Sequence, residues 1–343
     1  MKHFRLFNKK DTLIIFACFC GIGICYGFQY SFSIFFVEIT KFFNVTKASG
    51  AFVFSLTLLV YGLYAPFIGI LTNKFGGRKI FRVASLILIS GVILSAFARN
   101  IFQLYFTLGI ITAIGMNSVG FVPITIIISN NFKEKKGLAL GLATTGVGVG
   151  AIAMSILTKI LIDIFDWQIA LVSLGVLSSL LIVFCSGFLP TVPRGSSFKL
   201  DFYFLKTKDF WLIQGGMAFG AMTVQSVMLH IVAFFIEKGV TVSLSAITIS
   251  LIALTGSVGK ISWGFLSDGF KPIVLYIVAC FLIMLSILIL SADFFNPVVE
   301  VFIFSILFGI GYGSFAPLFP HLFLKSSEMI LEMLWGCSLP ETE

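Results

Sequence analysis

The chain has 343 residues, of which 58% are hydrophobic and 11% charged, with 41 Phe and a mean hydropathy of +1.07. A soluble fold must cover its core with polar surface, which this composition cannot supply, so a polytopic membrane protein is implied. The formal net charge of +8 does not indicate a nucleic-acid partner, because Lys and Arg fall in short clusters between apolar runs, where topology signals belong.

In chain order, a basic start carrying Lys2, Arg5, Lys9 and Lys10 leads into an uncharged run from Thr12 to Val37, longer than the ~20 residues that cross a bilayer. That run is too long for a signal peptide, and more spans follow. Further runs cover Ala48 to Asn73, Val83 to Ala98, Asn100 to Phe132, Gly137 to Thr158 and Trp167 to Pro193. Beyond a polar interruption lie Phe210 to Ile236, Gly239 to Ser267, Pro272 to Ala292 and Val301 to Leu324. The expected fold is an all-α membrane helix bundle of about ten spans, with none of the short alternating strands of a barrel.

The connections alternate in charge. Lys74/Arg78/Lys79/Arg82, Lys133/Lys135/Lys136, Arg194/Lys199/Lys206/Lys208, Lys271 and Lys325 share the side of the amino terminus; Lys41, Lys47, Arg99, Lys159 and Lys238 lie opposite. The positive-inside rule places the first set, and the amino terminus, in the cytoplasm. Cys18, Cys20, Cys25, Cys185, Cys280 and Cys337 lack metal-ligand spacing and read as small packing residues, so no metal is expected.

The interruption at 191–209 is rich in Pro, Gly, Ser and Lys and follows the sixth span, which marks a cytoplasmic linker between a six-helix bundle over 1–190 and an incomplete bundle over 210–324. A repeat supports the division: Gly69-Ile-Leu-Thr-Asn73 has a counterpart in Gly264-Phe-Leu-Ser-Asp268, each closing the second span of its half.

The first copy continues as Lys74-Phe-Gly76-Gly-Arg78, and here the chain resembles the major facilitator superfamily, whose loop between helices two and three carries this pattern. Gly69 and Gly76 permit close helix approach and a tight turn, while Lys74 and Arg78 hold the loop against anionic lipid or helix ends. The bland alternative is a basic loop that only fixes topology. Asn73 stands where the superfamily has aspartate, and Asn-Lys-Phe-Gly-x-Arg is similar to monocarboxylate porters, a branch that includes bacterial oxalate/formate exchangers. Tyr26 to Glu38, Asn131 to Gly150 and Lys206 to Trp211 resemble the same branch.

Gly137, Gly141, Gly146 and Gly150 form two pairs at four-residue spacing, which puts small residues on one face for helix packing, static or sliding. For cargo, Lys260 stands out as a cation within an apolar span. The resemblance implies that an arginine at its position pairs with a substrate carboxylate; the alternative is a lysine that snorkels to the cytoplasmic face. The branch's animal members carry a lysine where Tyr30 stands and an aspartate where Gly256 stands, so animal-type proton–lactate symport is poorly supported. Neutral candidates for a central cavity are Gln29, Tyr30, Asn117, Gln225 and His230, each of which can instead satisfy a neighbouring helix.

After Gly309 to Pro320, which looks like the family's helix ten, residues 325–343 form a polar tail in which Leu331, Met333, Leu334 and Trp335 can make an interfacial helix but not a span. Helices eleven and twelve of the resembled family are therefore expected to be missing. The expected function is transport of a small organic anion, monocarboxylate or dicarboxylate, by alternating access in a bacterial inner membrane, with the lipid bilayer as partner. The alternative is a truncated, non-transporting remnant or a membrane interaction partner, with a second chain supplying the missing helices. No cofactor is expected, and no nucleophile–base pair, HExxH or phosphate loop suggests an enzyme.

Overall fold

The computed structural model describes residues 7–132, 134–191, 208–292 and 295–319. The linker residues 192–207, Lys133 and the tail from Pro320 onward lie outside them, and so do Lys2, Arg5 and Cys337. Among the described residues the protein is all helix, without a strand. Among the described residues nine helices are long and apolar enough to cross a membrane, and the count reaches ten with α10, which bends by 45° between Met228 and His230.

The elements run α1 (Lys9–Phe42), α2 (Lys47–Phe75), α3 (Gly77–Ala96) and then a fourth span, Ile101–Asn131, built in pieces. Its pieces are α4 (Ile101–Phe106), a π-helical segment at Thr107–Thr112, α5 (Ala113–Asn117) and α6 (Phe121–Asn131). The fifth span, Lys136–Ile164, comprises α7 (Lys136–Thr144) and α8 (Gly146–Ile164), and α9 (Trp167–Ser186) is the sixth. Then follow α10 (Lys208–Glu237), α11 (Val242–Ser267), α12 (Pro272–Ala292) and α13 (Pro297–Gly313).

Local sequence sets the helix starts. The Asn8 side chain accepts from the Lys9 N–H at 2.9 Å, with Asp11 in the first turn of α1. Thr46 accepts from the Ser49 N–H at 3.3 Å, and Asn296 from the Val298 N–H at 3.0 Å, ahead of Pro297 at the first position of α13.

The described residues group into two compact units: 7–134 with 142–191, and 135–141 with 208–319. In the first, α1 packs along α8 and α3 along α9. Backbone contact replaces side-chain contact at the α1–α8 crossing, where a Cβ on Gly150 would collide with the Gly23 carbonyl and one on Gly146 with that of Phe19. In the second, α13 packs against α11 and α12 around Phe235, Phe304 and Phe308, all fully buried. The Thr255 hydroxyl donates to the Ser305 carbonyl at 2.9 Å and Trp263 Nε1 to the Ile310 carbonyl at 2.8 Å, tying α11 to α13.

Candidate functional site

The α2–α3 turn is strapped to the end of α9. Gly76 closes α2 at φ +77°, and its N–H donates to the Thr72 carbonyl at 2.9 Å. The turn brings Arg78 under the carboxyl end of α9, where its Nε donates to the Leu189 carbonyl at 2.9 Å and its Nη2 to the Gly187 carbonyl at 3.0 Å. These carbonyls lie at the cap of α9 and two residues beyond it, and a guanidinium fork there binds both and complements the helix dipole. Arg82 Nε reaches the Ser186 hydroxyl at 3.3 Å. Asn73 accepts from Asn130 Nδ2 at 3.0 Å, joining α2 to α6, and Gly69 faces Val122 and Ile126.

The second copy of the motif is organised differently. Asp268, at the end of α11, receives the N–H of Gly137 at 2.7 Å and of Leu138 at 3.0 Å, one on each carboxylate oxygen. These belong to the first turn of α7, so the carboxylate caps a helix amino end from a different element. The approach needs glycine: a Cβ on Gly137 would strike Ser267 and the Gly264 carbonyl, and one on Gly141 the Lys260 carbonyl. Charge-assisted bonds of this kind contribute about 1.5–3 kcal/mol. Asp268→Asn is expected to raise hydrogen exchange of the α7 first-turn amides roughly tenfold. Unchanged exchange there would show that the carboxylate does not hold the helix.

Lys260 lies on the α11 face covered by α13 and is 6% exposed. Its ammonium stands 5.8 Å from the centre of the Tyr312 ring, a cation–π arrangement, and its backbone is pressed between Gly141 and Gly313. The end of α11 at Ser267 is seven residues on, about 10 Å along the axis. That distance and its burial keep the ammonium out of solvent. Among the described residues no carboxylate pairs with it.

The other candidates do not converge in one cluster of hydrogen bonds. Asn117 is 3% exposed with its Nδ2 unpartnered, at the end of α5. Tyr30 is half exposed on α1, Gln29 is half-buried beside it, and Gln225 and His230 are exposed on α10, His230 just past the bend. Gly256, at the position of the animal members' aspartate, faces the Gly309 carbonyl and the Tyr312 ring.

Two features are absent from the sequence reading. Around Asn117 the fourth span is interrupted twice. The π segment, where Thr112 Oγ1 donates to the Thr107 carbonyl at 2.9 Å, precedes a break at 118–120. There Ser118 Oγ lies 3.4 Å from the Tyr64 hydroxyl, and the Phe121 N–H reaches the Tyr61 hydroxyl at 3.5 Å. The second feature is a buried ion pair: Lys238 Nζ lies 2.8 Å from Glu300 Oε2, donates to the Leu290 carbonyl at 3.0 Å and sits 5.0 Å over the Phe234 ring. Glu300 is fully buried, although the sequence reading begins the last span one residue after it.

Nine or ten membrane-spanning helices among the described residues, with a repeated glycine–acid or glycine–amide motif at the ends of α2 and α11, define a multi-pass integral membrane protein of the transporter class. The model of the Major Facilitator Superfamily matches residues 18–329, and the chain belongs to that family. It is 34% identical to monocarboxylate transporter 3 of Gallus gallus over 157 residues, 46% of this chain and 29% of that protein. To monocarboxylate transporter 2 of Homo sapiens it is 23% identical over 337 residues, 88% of this chain and 70% of that protein. Many of these alignments thus span about a third of the relative's length. The solved proton:xylose symporter XylE superposes with a TM-score of 0.65 at 12% identity, covering 95% of this chain and 89% of that one. A bacterial homologue of the lysosomal transporter Spinster superposes at 0.58 and 16% identity, covering 96% and 80%. These likenesses show the fold. The family and its relatives are transporters, not enzymes.

Proposed function

We propose that the chain moves a small organic anion, a monocarboxylate or dicarboxylate, across the membrane by alternating access, with Lys260 as the charge that receives the carboxylate. The observation that carries this reading is the ammonium of Lys260, buried beside the Tyr312 ring with no carboxylate partner among the described residues. An intramembrane cation costs several kcal/mol unless a partner or cavity receives it, and an anionic cargo supplies that partner. Gln29, Tyr30, Asn117, Gln225 and His230 furnish hydrogen bonds for the rest of the cargo. The halves 1–190 and 210–324, joined by 191–209, exchange access. The charge asymmetry of the connections supports an amino terminus in the cytoplasm, and a bacterial inner membrane fits that orientation.

A second reading has one observation in its favour. A Cβ added on Gly215 or Gly216 of α10 would meet nothing within 4 Å, whereas Gly23 and Gly27 of α1 are covered by α8. On this reading the chain is a membrane partner that receives helices from a second chain and does not transport alone. Counter-flow of labelled monocarboxylates and dicarboxylates into proteoliposomes holding the purified chain tests both. Saturable exchange of one anion class supports the first reading. Uptake of none of them counts against it, and uptake restored only by a co-purified second chain establishes the other.

A further inference from the structure

The α2–α3 turn carries four basic residues, and the structure separates them into two kinds. Arg78 and Arg82 are committed to the end of α9, through the Leu189 and Gly187 carbonyls and the Ser186 hydroxyl. Lys74 and Lys79 are exposed, and both ammonium groups sit on one ring, 5.3 and 4.6 Å from the centre of Phe75. The two cations therefore lie no more than about 10 Å apart, and no carboxylate among the described residues pairs with either. Helix α3 begins at Gly77 beside them with no acidic residue in its first turn and no side-chain cap, since Gly76 has none to give. Everything charged in this turn is positive.

The apolar surface that follows the lysines suits the chains of a lipid. On α3, Lys79, Val83 and Leu86 fall at i, i+4 and i+7 on one face, with Val83 45% and Leu86 67% exposed. On α2, Lys74 shares a face with Phe67 and Leu63, 62% and 64% exposed. Each lysine thus stands at the headgroup end of a helix face that is apolar and uncovered, the arrangement in which a lysine stem lies along lipid while its charge meets phosphate.

We propose that Lys74 and Lys79, gathered on Phe75, form a binding site for the phosphate of an anionic glycerophospholipid, whose acyl chains lie along the exposed faces of α2 and α3. The partner is a membrane lipid rather than a free anion because the site continues into apolar surface. The inference does not depend on what the protein transports.

The test uses the full chain in nanodiscs of mixed phosphatidylglycerol and phosphatidylcholine, with co-purifying lipid counted by native mass spectrometry after extraction into mild detergent. Phosphatidylglycerol is expected to be retained over phosphatidylcholine. Lys74→Gln with Lys79→Gln is expected to lower that retention at least fivefold, while Lys74→Arg with Lys79→Arg keeps it. Lys159→Gln, which alters an exposed lysine paired with Asp163, is expected to change nothing. Equal retention of both lipids, or a double glutamine variant that retains phosphatidylglycerol like the parent, overturns the site. Displacement of the lipid by millimolar inorganic phosphate would assign the lysines to a free anion and overturn the lipid. A melting temperature matching the parent's confirms that the glutamine variant is folded; if it is not, Phe75→Leu, which removes the ring and keeps both charges, is expected to weaken retention in its place.

Discussion

Lys238→Ala is expected to destabilise the second unit by about 3–5 kcal/mol, the cost of leaving a buried carboxylate without its counter-charge. Glu300 is fully buried, and one of its oxygens already has no hydrogen-bond partner, so little else can absorb the charge once Lys238 is gone. The ammonium also closes the end of α12 by donating to the Leu290 carbonyl, and that donor is lost in the same step. Removing both charges together, as Lys238→Met with Glu300→Leu, is expected to recover most of the loss, because a well-packed apolar pair avoids the desolvation both ions carry. Thermal unfolding in detergent, followed by intrinsic fluorescence, measures both variants against the parent. If Lys238→Ala melts like the parent, or the double variant is no better than the single one, the ion pair does not hold α10, α12 and α13 together.

That pair shows why part of the molecule is legible in the sequence and part is not. Span number and helical class follow from runs of apolar residues, a property each stretch carries by itself. The repeat around Gly69 and Gly264 is legible for the same reason. Lys238 and Glu300 are 62 residues apart, one in a loop and one at the edge of an apolar run, and read singly they look like charges left in water. Only the packing of α13 against α10 and α12 turns them into a buried pair. The contact of Asp268 with Gly137 and Leu138 spans about 130 residues and is equally invisible. Glycine spacing reveals that Gly146 and Gly150 need a close neighbour, but not that the neighbour is Gly23 of α1. The π segment at Thr107–Thr112 and the 45° bend in α10 leave no mark, because Thr-Leu-Gly-Ile-Ile-Thr and Met-Leu-His suit an unbroken helix as well as a broken one.

Lys260→Met is expected to separate function from stability. If the ammonium is kept for cargo, it is kept at a cost: it is desolvated, its aromatic neighbour offers only a weak cation–π attraction, and no carboxylate repays the burial. Methionine fills nearly the same volume without the charge, so the variant should melt no lower than the parent and should gain stability. Binding of a carboxylate should move the other way. A charge-assisted contact of about 3 kcal/mol corresponds to roughly a hundredfold in affinity, so counter-flow by Lys260→Met should fall by about that factor. Lys260→Arg restores the charge but brings a larger, planar head beside the Tyr312 ring, and is expected to recover transport only in part. A lysine serving packing alone predicts the reverse pattern, with lower melting and unchanged affinity for whatever anion is carried. Measuring the melting temperature with and without the anion in the same samples places each variant on one side or the other, and a Lys260→Met protein that exchanges carboxylate at the parental rate would remove this residue from the site.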